Sequence, residues 1–145
     1  MQSRPYKRPE SVLVLVYTQG GEVLLLRRVH PADYWQSVTG SLKWQEKPLQ
    51  GAYRELAEET GLEPSEELLD CGYSNRFPII APWKARYAPE DRYNVEHVFR
   101  LELPAPIAIQ LNLQEHSEYQ WLPKEQAAAR VSSWTNRDAI LRFVG

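Results

Sequence analysis

The order of elements in the sequence predicts an α+β fold or a three-layer sandwich, with strands outnumbering helices. Three observations carry that expectation. Two apolar, strand-like runs flank a glycine turn near the amino terminus, a helix-patterned segment lies between Pro48 and Gly61, and two helical segments close the chain. Residues 11–17, "SVLVLVY", are β-branched and apolar, the pattern of a buried strand. "QGG" at 19–21 is a turn, and "EVLLLRR" at 22–28 returns as the second arm of a hairpin. "YWQSVTG" is short and extended, ending at Gly40. A loop over 41–47 leads into a helix from Pro48 to about Thr60. Proline suits the first helical turn, where its missing N–H would have had no partner, and Gly61 suits the left-handed residue that ends a helix. "LLDCGYS" and "VEHVFRLEL" (95–103) read as strands and "EYQWL" (118–122) as a weaker one. Residues 74–93, rich in Pro, Arg and Tyr, read as a long loop, and such loops in compact domains usually carry function. "PKEQAAARV" and "TNRDAILRFV" are helical in pattern, with Thr135 and Asp138 spaced like a capping box.

The composition narrows the class of protein. With 145 residues, 43% hydrophobic and 25% charged, the chain suits a single domain over residues 1–145 with an ordinary core. A net charge of -2 gives no broad attraction for nucleic acid or anionic lipid, so an anionic ligand must be held by local cations or by metal. The lone cysteine, Cys71, excludes an intramolecular disulfide and a multi-cysteine zinc site, which suits a reducing cytosol. "MQSRPYKRPE" has no apolar signal-peptide core, and no apolar run approaches the ~18 residues of a membrane span. These features lead us to expect a soluble cytoplasmic protein with no membrane or nucleic-acid partner.

The segment 40–62, "GSLKWQEKPLQGAYRELAEETGL", carries the chemistry. On a wheel of roughly 100° per residue, Glu55, Glu58 and Glu59 share one arc while Leu49, Ala52, Tyr53, Leu56 and Thr60 cluster on another. The expectation is a helix with one side in the core and three carboxylates on the other. Like charges at this spacing repel by a few tenths of a kcal/mol per pair. Taken alone, such a face is more often solvated surface than metal site. Gly51, one turn before Glu55, reads either as a point of close approach or as a tolerated glycine.

The wider spacing decides between them. Gly40, Glu46, Arg54, Glu55, Glu58, Glu59 and Gly61 stand as G-x5-E-x7-R-E-U-x-E-E-x-G-U, with Leu56 and Leu62 at the U positions. At roughly 7% usage per residue type, such a match arises by chance about once in 10⁸ starts. The pattern resembles the box of the Nudix hydrolases. That resemblance implies an α/β/α sandwich with a mixed central sheet and a Mg²⁺-dependent hydrolase, with Mn²⁺ able to substitute. It implies Glu55, Glu58, Glu59 and Glu115 as metal ligands and Glu58, Glu115, Arg54 and Glu46 as the catalytic set. In it Arg54 orients a glutamate, Glu46 steadies the loop against the helix, and the carbonyl of Thr39 adds a ligand. Glu115 precedes a strand in the C-terminal half; Glu118 and Glu96 are its rivals, and His116 reads as a neighbour. Ser41 and Gln45 stand where many such boxes carry glycine.

Phosphate calls for cations, and Lys7, Arg8, Arg27 and Arg28 at strand ends are the candidates. "YKRPESVLVLVY", "YWQSVTGSL", "RYAP", "EHSEYQWL" and "SWTNRDAILRFV" resemble the branch of the family that removes pyrophosphate from 7,8-dihydroneopterin triphosphate in folate synthesis. Matching positions imply a substrate lined by Lys7, Arg28, Thr39, Phe77, Pro78, Ile79, Ile80 and Ser133. The expected partner is therefore a small pterin or nucleoside triphosphate, with dATP or an oxidised purine nucleotide as the alternative. A non-catalytic nucleotide-sensing module is a more distant reading, because no acid of the box is missing. The expected state is a monomer or weak homodimer. Trp35, Trp44, Trp83 and Trp134 flank motif or loop segments, whereas Trp121 reads as strand core.

Overall fold

The computed structural model describes residues 6–64, 67–81 and 83–145; residues 1–5, part of the stretch read for a signal peptide, and Pro82, in the expected long loop, lie outside it. Its elements are β1 (Glu10–Thr18), β2 (Glu22–Arg28), β3 (Trp35–Gln36), β4 (Val38–Ser41), α1 (Pro48–Thr60), β5 (Leu69–Pro78), β6 (Tyr93–Leu103), β7 (His116–Pro123), α2 (Lys124–Arg130) and α3 (Trp134–Phe143). All seven strands join one mixed sheet. β1 runs parallel to β6 along its full length, from Glu10–Val95 to Thr18–Leu103, and every other pairing is antiparallel.

β1 is buried on both faces, and its alternation sorts the core into two halves. Val12, Val14 and Val16 pack with Leu24, Leu26, Ala52, Leu56 and Phe99 beneath α1. Leu13, Leu15 and Tyr17 pack with Val23, Leu25, Ala127, Ala139 and Ile140 beneath α2 and α3. The result is helix, sheet, helix, the α/β/α sandwich expected. Among the described residues, no helix is long and apolar enough to cross a membrane.

The feature that makes room for a site is the divergence of β1 and β2. They register at Tyr17–Val23 beside their turn, after which "YWQSVTG" divides between them. β3 pairs with β2, and β4 pairs with β1 from Ser11–Ser41 to Val14–Val38. The expected single extended segment is thus two short strands that cross from one edge to the other. Asn136, buried on α3, pins the crossing: Ser37 N–H donates to its Oδ1 at 2.8 Å, and its Nδ2 donates to Ser37 Oγ at 3.0 Å.

Several expectations need correction. Residues 74–93 are not one loop, because β5 continues to Pro78 and pairs with β6 from Ser74–His97 to Pro78–Tyr93. A bulge between Asp70 and Ser74 interrupts the period-2 pattern, which concealed the strand's second half. The loop itself is shorter, 79–92, with one 3-10 turn at Lys84–Arg86. Thr135 does not cap the last helix. Ser133 does, accepting from Asn136 N–H, while Asp138 lies near the Tyr73 hydroxyl and Arg142. On α1 the acids are not all outward. Glu59 is buried with Leu56 and Thr60, whereas Leu49 and Tyr53 are exposed. Gly61 ends the helix at φ 74° as expected.

The loop before α1 keeps its path without glycine. Gln45 adopts φ 70°, a left-handed conformation that favours glycine, and so delivers Glu46 to the helix. Such a conformation costs an L-residue about 1–2 kcal/mol, partly offset by the lower unfolded-state entropy relative to glycine. We expect Gln45→Gly to stabilise the fold by about 0.5–1 kcal/mol in urea denaturation; a loss of stability would mean the Gln45 side chain contributes more than its backbone costs.

Candidate active site

The acids of α1 meet the 41–47 loop around Arg54. Its Nε and Nη2 donate to the two oxygens of Glu46 at 2.7 and 2.8 Å, its Nη1 to Glu55 Oε1 at 2.6 Å and to Glu58 at 3.1 Å, and Nη2 also to the Ser41 carbonyl at 3.1 Å. Glu46 accepts a further bond from Lys43 N–H. The Arg54 bonds, only partly offset by burial, hold the Glu46 carboxyl down at about 2. Two glycines let the pieces approach. A Cβ on Gly40 would lie 2.1 Å from the Glu55 carboxylate, and one on Gly51 would lie 2.3 Å from Leu42 Cδ2. Of the two readings of Gly51, close approach is therefore the one realised.

Glu59 differs from its neighbours. Its side chain is 3% exposed, Oε1 has no hydrogen-bond partner, and Arg54 does not reach it. Burial, then Glu55, then Glu115 push its carboxyl well above the usual range, against one hydrogen bond from the Thr39 backbone. His116 Nε2 stands 4.0 Å from Glu59 Oε1. Burial, with Arg28 nearby, pulls that imidazole to about 4, so it is neutral at pH 7 and offers no compensating charge. Among the described residues no three acids, histidines or cysteines stand ready-made around one ion. The physical reason is visible: Arg54 currently holds Glu55 and Glu58. The donor set nonetheless fits a hard divalent cation. An orphaned, buried carboxylate oxygen beside two further carboxylates, Glu55 and Glu115, is an all-oxygen site short of positive charge.

A cavity of about 530 Å³ opens beside this corner, within the range of small-molecule sites. Lys7, Arg28, Thr39, Phe77, Pro78, Ile79, Ile80 and Ser133 all line it. Burial first, then Arg86 and Arg28, lower the Lys7 ammonium, while Glu55 and Glu115 oppose. These groups are therefore electrostatic neighbours, cations facing the acid corner. Arg28 also donates from Nε to the His30 carbonyl at 2.8 Å. Thr39 Oγ1 donates to the Val12 carbonyl and Ser133 Oγ bonds Thr135, so each has local structural work besides lining the cavity.

Other candidates fall elsewhere. Arg8 ties the first strand to the loop, bonding Glu10 and the Lys43 and Glu46 carbonyls. Arg27 pairs with Asp33 and faces Glu118 at 3.7 Å on the neighbouring strand, so neither lines the cavity. Trp83 and Trp134 line it; Trp35 is core, and Trp121 packs against the core as expected. The sequence reading missed Tyr34, Gln36, Asn94 and Asn136 in the cavity wall, and it weighed Glu96 only as a rival to Glu115 for base or metal ligand. The available signal was a break in alternation, since Asn94 and Glu96 share the β6 face that continues into the apolar Val98. Burial pushes Glu96 up to about 7, opposed by Thr135 and Asn75.

The Glu46–Arg54 pair has a pH signature. Glu46 titrates lower in the folded chain than its ordinary 4.5, so its contribution to stability is present above about 4.5 and is lost as pH falls towards 2. Glu46→Gln should therefore be less stable than the natural chain at pH 7, with the gap closing as pH falls from 4.5 towards 2. Denaturation curves across that window test it, and a pH-independent gap would assign the loss to packing.

Comparison with known proteins places this geometry. The NUDIX domain model matches residues 7–143. The chain is 42% identical to dihydroneopterin triphosphate diphosphatase of Escherichia coli (strain K12), over 99% of this chain and 97% of that one. It is 36% identical to the enzyme of the same name from Haemophilus influenzae, over 96% and 89% of the respective chains. The solved structure of the E. coli dihydroneopterin triphosphate pyrophosphohydrolase superposes with a TM-score of 0.90 at 41% identity, covering 97% of this chain and 98% of that one. With the box at the junction of loop and α1, and with likeness running through nearly the whole chain, the protein belongs to the Nudix hydrolase family.

Proposed function

We propose that the chain hydrolyses 7,8-dihydroneopterin triphosphate to dihydroneopterin monophosphate and pyrophosphate, with Mg²⁺ as the ion and Mn²⁺ able to substitute. The observation that carries the reading is a single cavity with two chemically different ends. One end carries Lys7 and Arg28 beside the acid corner, and the other has aromatic and aliphatic walls suited to a flat ring. The two curated relatives described above carry that substrate in their names, and they match nearly the whole chain. The same reading takes residues 1–145 as one catalytic domain, cytoplasmic, and a monomer or weak homodimer.

Hydrolysis adds water across the α–β phosphoanhydride bond, breaking one P–O bond and releasing pyrophosphate. Nudix hydrolases use divalent metal, which when bound neutralises phosphate charge as a Lewis acid. Glu55, Glu58, Glu59 and Glu115 are the residues that would hold it. Lys7 and Arg28 bind the phosphate chain and offset its charge as it shifts towards the departing pyrophosphate. Arg86, electrostatically coupled to Lys7, joins them. Glu115 and Glu58 are exposed carboxylates, and whichever is not engaged by metal is placed to take the proton of the attacking water, Glu58 only on leaving Arg54. Arg54 acts as a positioning residue through Glu46, Glu55 and Glu58.

Pyrophosphate release with Mg²⁺ tests the reading directly. A kcat/KM for dihydroneopterin triphosphate ~100-fold or more above those for dATP, dGTP and 8-oxo-dGTP, nearly 3 kcal/mol of transition-state discrimination, is expected. Equal or better turnover of a nucleotide would transfer the activity to nucleotide hydrolysis.

Substitutions separate the site from the fold. Glu55→Gln and Glu59→Gln are expected to abolish turnover with the fold intact and to remove the stabilisation expected from Mg²⁺ in the natural chain, about 2.7 kcal/mol at 100-fold excess over Kd, which is read as a rise in Tm. Glu115→Gln should lose at least ~10²-fold in rate. Natural rates in all three variants would remove the acids from the mechanism.

A further inference from the structure

Glu96 has no task in the phosphate chemistry above. It lies on β6, opposite Ser11 on β1, with only 6% of its surface exposed, and it lines the cavity. Thr135 and its β5 neighbour Asn75 are hydrogen-bonding neighbours of the carboxyl, but its Oε1 is buried without a partner, as is Asn75 Nδ2, and among the described residues no ion pair involves it. Two residues earlier on the same face, Asn94 is 4% exposed and also lines the cavity. Its Nδ2 donates to Ser11 Oγ at 2.8 Å, and its Oδ1 is buried and unpartnered. One stretch of wall therefore holds two orphaned acceptors. Buried acceptors without donors are costly, and a ligand that supplies N–H groups recovers that cost. Tyr34 connects this wall to the phosphate end. Its hydroxyl, pushed up by burial, lies within electrostatic reach of both Arg28 and Glu96, and its ring meets Trp83 edge-on at 5.8 Å.

We propose that Glu96, with Asn94 beside it, selects the ring of the substrate by accepting hydrogen bonds from adjacent N–H groups of a 2-amino-4-oxopyrimidine edge. That edge carries a ring amide N–H beside an exocyclic amino group, two donors for two acceptors, and it is common to pterins and guanine. Adenine presents a ring nitrogen lone pair beside its amino group and would set acceptor against acceptor. Hypoxanthine keeps the amide N–H but lacks the 2-amino group. The inference rests on the triphosphate-hydrolase reading and deepens it, because it names the residue that would decide which triphosphate enters.

The test uses the full chain and separates ring from phosphates. Binding of dihydroneopterin, which has no phosphate, is measured by calorimetry without divalent metal in the natural chain and in Glu96→Gln. The dissociation constant is expected to rise at least ~10-fold in the variant, because an amide replaces one carboxylate acceptor with a donor. In parallel, kcat/KM for GTP is compared with that for ITP. The natural chain should prefer GTP by ~10-fold or more, and the ratio should fall towards one in Glu96→Gln. Unchanged dihydroneopterin binding in a folded Glu96→Gln overturns the inference, as does equal use of GTP and ITP by the natural chain. Should the variant fail to fold, the natural GTP:ITP ratio still decides. If no pyrophosphate is released from the pterin triphosphate while dihydroneopterin binding still depends on Glu96, the proposed activity falls and the ring assignment stands.

Discussion

Four carboxylates drawn into one corner would push it apart, and a single guanidinium holds three of them. Arg54 shares its donors among Glu46, Glu55, Glu58 and the Ser41 carbonyl, so one side chain closes the loop onto the helix and neutralises most of the repulsion. A planar fork with five N–H donors can do this where the point charge of lysine cannot. Its bonds to Glu46 and Glu55 outweigh the opposing effect of burial and hold its charge fixed far above any working pH. The fourth acid, Glu59, lies beyond its reach and sits buried with an orphaned oxygen. Arg54 thus compensates three acids and leaves Glu59, with Glu115 beside it, short of positive charge.

The helix α1 and its ends were fully legible, because Pro48 and Gly61 have backbone reasons to stand where they do. The hairpin, β6 and the terminal helices were legible from periodicity. The second half of β5 was not, since its bulge breaks alternation and its residues, "SNRFP", resemble a loop. The helical wheel misplaced Glu59 for a related reason. A wheel ranks sides by hydrophobicity, whereas a functional carboxylate is buried in spite of its charge. The cations failed differently. Lys7, Arg8, Arg27 and Arg28 look alike in sequence, and only tertiary structure separates the two that line the cavity from the two spent on structural pairs.

The cavity exists because β1 and β2 part after their turn and the β3–β4 segment crosses the gap. That crossing places Gly40 against Glu55 on one side and Ser37 against Asn136 on the other. A seven-residue stretch with no regular period therefore joins the helix of the acids to the helix that walls the ring end. The acids of α1 and the α3 residues of the cavity wall thus lie on opposite layers of the sandwich, joined through the sheet between them.

The parallel pairing of β1 with β6 has a consequence for how the chain reaches this structure. Its partners, Glu10 with Val95 and Thr18 with Leu103, lie at opposite ends of most of the sequence. During synthesis the first strand, whose side chains end up buried on both faces, waits in water until the sixth has left the ribosome. The early hairpin offers little shelter, because β1 and β2 stay in register only beside their turn. Closing so large a loop is entropically slow, and an apolar edge exposed meanwhile is a site for aggregation or chaperone capture. The box residues of the acid corner, by contrast, lie between Gly40 and Glu59, so β4, the loop and α1 are all present before the centre of the sheet closes.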